Sequence, residues 1–242
     1  MQQVAERKTD SHACIFVFFL SSFLYIQLKR VNPSQLVPTL IPVVNDEPVE
    51  SQAVWESLIT IDYIDAVSKA TGKDRLNPTD DPYQSARCRL WAEKINRECC
   101  SPYYGVLVRQ DDTERREHFQ QLLQGLQNFS NELQKTTGPL FLDDAQLSSV
   151  DLALLPWAYR YYVFEHYRGP DFVIPRTPAL GPYFGWYEHV MQLESVQRTL
   201  PDKDRYLDHI RKYADGSARS KVANAVRRGV AAHDFDDEKD NY

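Results

Sequence analysis

Hydrophobic and polar positions change rhythm twice along the chain. A continuous apolar run, Ala13 to Leu28 (ACIFVFFLSSFLYIQL), is followed by two short β-branched segments, Val37 to Val44 (VPTLIPVV) and Val49 to Trp55. The polar stretch Asn45-Asp46-Glu47-Pro48 between them marks a turn, so the pair reads as a two-stranded hairpin. From Glu56 to Ser68 the period is helical: Leu58, Ile61 and Ile64, joined by Ala66 and Val67, share one face, with acidic Glu56 at the favoured start. This pattern predicts a helix packed on the hairpin.

Gly72 through Pro82 (GKDRLNPTDDP) is rich in turn formers and charge and has no period of its own, which puts an inter-domain linker at 73–81. A helix is then expected from Pro82 to about Arg109, with Leu90, Trp91 and Ile95 available for a core. A second follows over Thr113 to Lys135, where Phe119, Leu122, Leu123, Leu126, Phe129 and Leu133 repeat at spacings of three and four, the stripe of a bundle wall. In LSSVDLALLPW, Leu147 to Trp157, Ser148 and Asp151 stand three apart ahead of an apolar run, a capping box with Asp in the usual place of Glu. The helix it opens is apolar nearly all round and is expected at the centre of the second domain, kinked at Pro156. Later helices are expected over Pro178 to Ser195, Asp202 to Tyr213 and Ser217 to Arg228, and the acidic residues 230–242 read as a disordered tail.

Composition narrows the classes. A chain of 242 residues with 43% hydrophobic content can bury one large core or two smaller ones. Its net charge of -6 provides no field to draw it onto nucleic acid or an anionic membrane. Four cysteines, Cys14, Cys88, Cys99 and Cys100, are too few for a disulfide framework and lack metal-ligand spacing, so no metal is expected and the reducing cytoplasm is the default compartment. The run Ala13 to Leu28, preceded by Arg7 and Lys8, is shorter than the roughly 20 apolar residues of a spanning helix and contains Ser21, Ser22 and Gln27. A signal anchor, a buried strand or helix, and a mis-assigned start are all compatible with residues 1–29.

Three pieces, in order, resemble glutathione transferases, particularly the omega-like group found in fungi. The first is Asn32-Pro-Ser-Gln-Leu-Val-Pro-Thr-Leu40, which looks like that family's loop ending in a cis Val-Pro. The resemblance implies that Val37 offers its backbone N–H and C=O to the cysteinyl part of glutathione, with Pro38 shaping the turn. The second is Trp55-Glu-Ser-Leu-Ile-Thr-Ile-Asp-Tyr-Ile-Asp65, similar to the family's Glu-Ser signature at the start of a helix. There the unpaired amides, with the Ser57 hydroxyl, would receive the γ-glutamyl carboxylate, while Glu56 would meet the ligand's ammonium group. The third is Leu76-Asn-Pro-Thr-Asp-Asp-Pro82, a Trp-containing helix, the Ser148/Asp151 cap and Pro156-Trp157. The implied fold is α+β: a partial or degenerate thioredoxin-like domain over 30–72, then an all-α glutathione-transferase helical bundle over 82–229.

The resemblance implies an enzyme that binds glutathione through Val37, Pro38, Glu56 and Ser57 and passes it to, or reduces with it, a small hydrophobic electrophile or disulfide. Detoxification and secondary metabolism are the settings it suggests, and a homodimer is the family's usual assembly. The second substrate is expected between the domains, against the helix carrying Trp91 and Tyr103, near Tyr159 to Phe164. Omega-like enzymes carry a catalytic cysteine upstream, and Cys14 is the sole candidate here. The interval from Cys14 to Pro38 is shorter than the roughly 30 residues that a helix, a strand and a crossover need. Nor does a following proline or basic neighbour favour its thiolate. Tyr25, Ser21 and Ser22 are not distinguished by spacing, so no catalytic residue is assigned. A non-catalytic binding or assembly protein on the same fold is the competing reading.

Overall fold

The computed structural model describes residues 13–16, 28–68, 75–142 and 146–231. The chain divides into two compact units, Met1–Thr71 and Gly72–Tyr242. The expected acidic tail, apart from residues 230–231, and most of the apolar run lie outside the described residues. Among the described residues, no helix is long and apolar enough to cross a membrane.

Among its described residues, the first unit is a small antiparallel sheet, a short helical turn over 28–31 between its first two strands, and a longer helix after the sheet. Strand β2 (Thr39–Val44) is its hub, pairing with β1 (Ala13–Phe16) on one edge and with β3 (Glu47–Pro48) and β4 (Val54–Trp55) on the other. Asn45 and Asp46 make the tight turn, both with positive φ, the conformation that two-residue hairpins favour and that Asn and Asp tolerate. The expected strand Val49 to Trp55 is broken: a 3-10 turn, Glu50–Gln52, separates β3 from β4. Pro48 and Pro42 have no N–H to give the ladder, which holds there through the Val49 amide on the Pro42 carbonyl at 2.9 Å. Helix α1 (Ser57–Val67) follows β4 directly. It buries Thr60 and Asp65 with Leu58 and Ile61 half-buried, whereas Ile64, expected on the inner face, is exposed.

The described residues of the second unit are mainly helical: α2 (Pro82–Ile95), α3 (Ser101–Val108), α4 (Asp112–Leu133), α5 (Ser149–Arg160), α6 (Tyr162–Arg168), α7 (Gly181–Val190), the single turn α8 (Glu194–Gln197), α9 (Lys203–Ala214) and α10 (Lys221–Arg228). Helix α2 packs on α5, and α4 packs on both α3 and α7. The stripe Phe119, Leu122, Leu126, Phe129 and Leu133 is buried as its spacing requires. Leu90 is not, being 69% exposed; the inward positions of α2 are Cys88, Ala92 and Ile95. The expected Pro178 to Ser195 helix is also divided, into a 3-10 turn Pro178–Leu180, α7 and α8, with Pro182 placed in the first turn of α7 where its missing N–H costs nothing. Ser220 accepts from the Ala223 amide at 3.2 Å, so the last helix starts at Lys221 rather than Ser217.

Helices α2 and α3 form one rod joined by a π turn, Asn96–Cys100. Pro102 explains it: the ring has no N–H for the Glu98 carbonyl four residues back and crowds that oxygen. The Ser101 amide bonds to the Asn96 carbonyl instead, and Tyr161 Oη donates to the Cys99 carbonyl at 3.2 Å. Gly125 of α4 lies against the bulge so closely that a Cβ there would stand 2.5 Å from the Glu98 carbonyl oxygen. At the rod's far end the Arg168 guanidinium donates to the Val106 and Leu107 carbonyls and, at 2.8 Å, to that of Ala214. Burial, with Arg115 nearby, lowers its pKa to about 10.

The capping box closes as expected. The Ser148 hydroxyl accepts from the Asp151 amide, and the Asp151 carboxylate accepts from the Ser148 amide at 2.7 Å. The same carboxylate takes the Trp186 indole N–H at 2.8 Å and the Phe141 amide at 3.3 Å, tying the start of α5 to α7 and to the 140–142 turn. Helix α5 continues through Pro156 to Arg160.

Candidate functional site

The register of the first unit draws the four residues Val37, Pro38, Glu56 and Ser57 to one end of the sheet. Thr39 pairs with Trp55 and Leu40 with Val54, so Val37-Pro38 and Glu56-Ser57 are the residues that directly adjoin the last pair on the two strands. The Val37-Pro38 peptide is cis, and Val37 is exposed there. Glu56, with φ of 72°, turns the chain from strand into helix. Glu56 and Ser57 are both exposed.

Helix α1 begins without a side-chain cap. Its first bond within the helix runs from the Thr60 amide to the Glu56 carbonyl at 2.8 Å, which leaves the amides of Ser57, Leu58 and Ile59 at the open end with the positive pole of the helix dipole. A carboxylate suits that pole, and the Ser57 hydroxyl stands beside it. One strand away, Val37 offers unpaired backbone to an extended chain. An ionised, peptide-like ligand can therefore meet a strand edge and a helix start in one span.

Two residues that sequence reasoning passed over hold the loop in place. Asn32 is buried and donates through Nδ2 to the Leu36 carbonyl at 2.8 Å and to Thr39 Oγ1 at 2.9 Å, while its Oδ1 accepts from the Ser34 amide and hydroxyl. Thr39, also buried, donates back to the Leu36 carbonyl at 2.8 Å. These bonds fix the path from 32 to 39 that presents Val37. Asn before Pro33-Ser34 is a turn former, and that was the available signal.

The other candidates fall elsewhere. Cys14 is in β1, opposite Pro42, on the order of 16 Å along the strand direction from the level of Val37 at about 3.3 Å per residue. Ser21, Ser22 and Tyr25 lie outside the described residues. Cys99 and Cys100 are enclosed in the π turn, where burial pushes both thiols well above their ordinary pKa, so neither is a ready nucleophile. Tyr103, expected to line the second-substrate site, is fully buried, with its ring against Tyr104, Trp157 and Phe164. It belongs to the core of the bundle. Trp91 packs on Phe141 at 5.8 Å, and Lys94 Nζ stands 4.3 Å from the centroid of its ring. Among the described residues no group of three or more His, Cys, Asp or Glu side chains could hold a metal ion.

A small strand-and-helix unit with an open cis-proline loop, followed by a helical bundle with a buried capping box, is the architecture of a thioredoxin-like domain joined to a glutathione-transferase helical domain. No protein-family model matches the chain. Among curated proteins it is similar to a probable glutathione S-transferase, parA, of Nicotiana tabacum, at 30% identity over 72% of this chain and 77% of the relative. Among solved structures it is similar to glutathione transferase Omega 3C of Trametes versicolor, at 27% identity and a TM-score of 0.62, over 80% of this chain and 76% of that one. Rice GST1, solved in complex with glutathione, shares the fold with a TM-score of 0.64 at 21% identity, over 79% of this chain and 80% of that one. The chain belongs to the glutathione S-transferase family.

Proposed function

We propose that the chain binds glutathione at the sheet end formed by Val37, Pro38, Glu56 and Ser57 and uses its thiol on a small electrophilic or disulfide substrate. The observation that supports this reading is the β2–β4 register, whose last pair, Thr39 and Trp55, is directly adjoined by the exposed Val37-Pro38 segment on one strand and by the uncapped start of α1 on the other. The cysteinyl backbone of the tripeptide would run beside Val37 as an added strand. Its γ-glutamyl carboxylate would take the α1 amides and the Ser57 hydroxyl, and its ammonium would face Glu56. In a transfer step the thiolate forms a carbon–sulfur bond as the electrophile's leaving group departs with its electron pair and the thiol proton goes to solvent. In a reductive step the same thiolate attacks a mixed disulfide and a second thiol is released. The omega-like assignment, a homodimer and a role in detoxification follow from the same reading.

A second reading, glutathione binding without turnover, draws on one observation: Cys14, the sole upstream cysteine, stands well along the strand from Val37. Calorimetric titration of the full chain with glutathione, beside turnover of 1-chloro-2,4-dinitrobenzene and hydroxyethyl disulfide, separates the two. Binding with turnover supports the enzyme, and binding without it the carrier. Ser57→Ala removes a hydroxyl from an ionised partner, about 1.5–3 kcal/mol, and should weaken glutathione roughly 10- to 100-fold. A wild-type chain that takes up no glutathione, or an S57A variant that binds as well as the wild type, rejects the site.

A further inference from the structure

The loop before Val37 is tied down at a single carbonyl. Leu36 C=O accepts from Asn32 Nδ2 and from Thr39 Oγ1, each at 2.8 Å, and the same Nδ2 donates to Thr39 Oγ1 at 2.9 Å. Asn32 and Thr39 are both buried, so the carbonyl they share is fixed toward the interior with its two lone pairs engaged. Asn32 is itself held from the far side, its Oδ1 accepting from the Ser34 amide at 3.0 Å and the Ser34 hydroxyl at 2.7 Å. Both amide hydrogens and both oxygen lone pairs of its side chain are thereby in use.

The outward effect follows from peptide geometry. Among the described residues the Val37-Pro38 bond alone is cis, so the Leu36-Val37 peptide is trans. In a trans peptide the C=O of one residue and the N–H of the next lie in one plane and point in opposite directions. Locking Leu36 C=O inward therefore turns the Val37 N–H outward, at a residue that is exposed and whose N–H has no partner among the described residues. The backbone would not keep this bend unaided: Gln35, just before Leu36, has φ of 57°, a conformation that is costly for a non-glycine residue. A buried asparagine with every bond satisfied often serves as plain structural support. Here its bonds and those of Thr39 meet on the one peptide unit whose other edge is offered to the ligand.

We propose that Asn32 and Thr39 are positioning residues for glutathione: by holding the Leu36 carbonyl inward they aim the Val37 N–H at the carbonyl of the ligand's cysteinyl residue. This rests on the sheet-end reading and adds to it the side chains that govern the strength of its strand-like contact. Neither residue touches the ligand. Both act through the Leu36-Val37 peptide, and the group that matters at position 39 is the hydroxyl.

The experiment is calorimetric titration of the full chain and its variants with glutathione, with a melting curve for each. Thr39→Val keeps the branched shape that suits a strand and removes the hydroxyl, while Thr39→Ser keeps the hydroxyl and gives up the buried methyl. T39V should bind glutathione about three- to tenfold more weakly and T39S within about twofold of wild type, whichever of the two melts lower. Asn32→Ala, which releases the Leu36 carbonyl from one donor and misplaces the other, should weaken binding roughly tenfold. Should N32A fold poorly, the T39V and T39S pair decides the matter. T39V binding as well as wild type, or T39S losing as much affinity as T39V, would overturn the assignment, the second because the loss would then follow packing and not the hydroxyl. A wild-type chain that binds no glutathione overturns the sheet-end reading and this one with it, whereas wild-type binding that T39V leaves intact overturns this one alone.

Discussion

Replacing Asp151 with alanine is the most searching test of how the helical unit is held. The carboxylate is completely buried and accepts four hydrogen bonds, from the Ser148 amide, the Ser148 hydroxyl, the Trp186 indole and the Phe141 amide. Asp151→Ala strands three N–H donors and opens the cap. A stranded buried donor costs about 1–3 kcal/mol, although neighbours in one network do not add. Against this, the variant recovers the penalty of burying a charge. That penalty is visible in the carboxyl group's pKa, which burial raises even though the Ser148, Trp186 and Phe141 donors pull it down. Breaking such a network by removing its central partner costs about 3–5 kcal/mol, and for a unit of this size the melting temperature should fall by roughly 6–20 °C. Urea unfolding followed by far-ultraviolet circular dichroism measures it, with Ser148→Ala as the control that loses only a cap, about 0.5–2 kcal/mol. A D151A variant within about 1 kcal/mol of wild type, or no worse than S148A, would refute the claim that one carboxylate ties α5, α7 and the 140–142 turn together.

Other outcomes follow from single contacts. Gly125→Ala gains about 1 kcal/mol of helix propensity but drives its Cβ into the Glu98 carbonyl and Cys99 Sγ, so a net loss of about 1–2 kcal/mol is expected by thermal melting; an equal or higher melting temperature would show that the close approach is not needed. Glu132 takes a guanidinium hydrogen bond from Arg87 at 2.7 Å and an ammonium from Lys135 at 2.7 Å. Burial raises its pKa, the two cations lower it further than that, and the net displacement is downward. Its stabilisation is therefore complete above the unfolded carboxylate range and is lost as pH falls through the folded value. Glu132→Gln should melt below wild type at about pH 7, with the gap closing as pH falls through the lowered folded value, and a gap that stays constant into the acid range would speak against the ion pair.

Much of this arrangement was legible in the chain, and the failures have physical causes. The stripe from Phe119 to Leu133 needs only its spacing, because a helix of that length presents one face to its neighbours. Ser148 and Asp151 were legible for a similar reason: a cap is local, and its partners are three residues apart. The Trp186 indole and the Phe141 amide, 35 and 10 residues away from Asp151, leave no such mark. Leu90 was misjudged because periodicity gives the width of an apolar face but not which side a bundle covers. The π turn before Pro102 comes from a missing N–H, whose effect depends on where the neighbouring carbonyl can turn. At the sheet end, Val37 and Ser57 were read from resemblance. Their adjacency comes from the register of β2 against β4, while Asn32, which shapes the loop, was passed over.

The wide turn at Asn96–Cys100 sets the phase of everything beyond it. Each residue advances a helix by about 100°, so one added residue reorients the whole downstream half of the rod. That is why α2 can address α5 while α3, on nearly the same axis, addresses α4 and α10. Deleting a single residue from the bulge would give a smoother helix and a worse protein: Cys88, Ala92 and Ile95 would keep their seats while Val106 and Leu107 swung out of theirs. The segment is thus intolerant of length change even where it tolerates change of side chain, and insertions or deletions in this chain should accumulate in its loops and leave the rod's residue count alone.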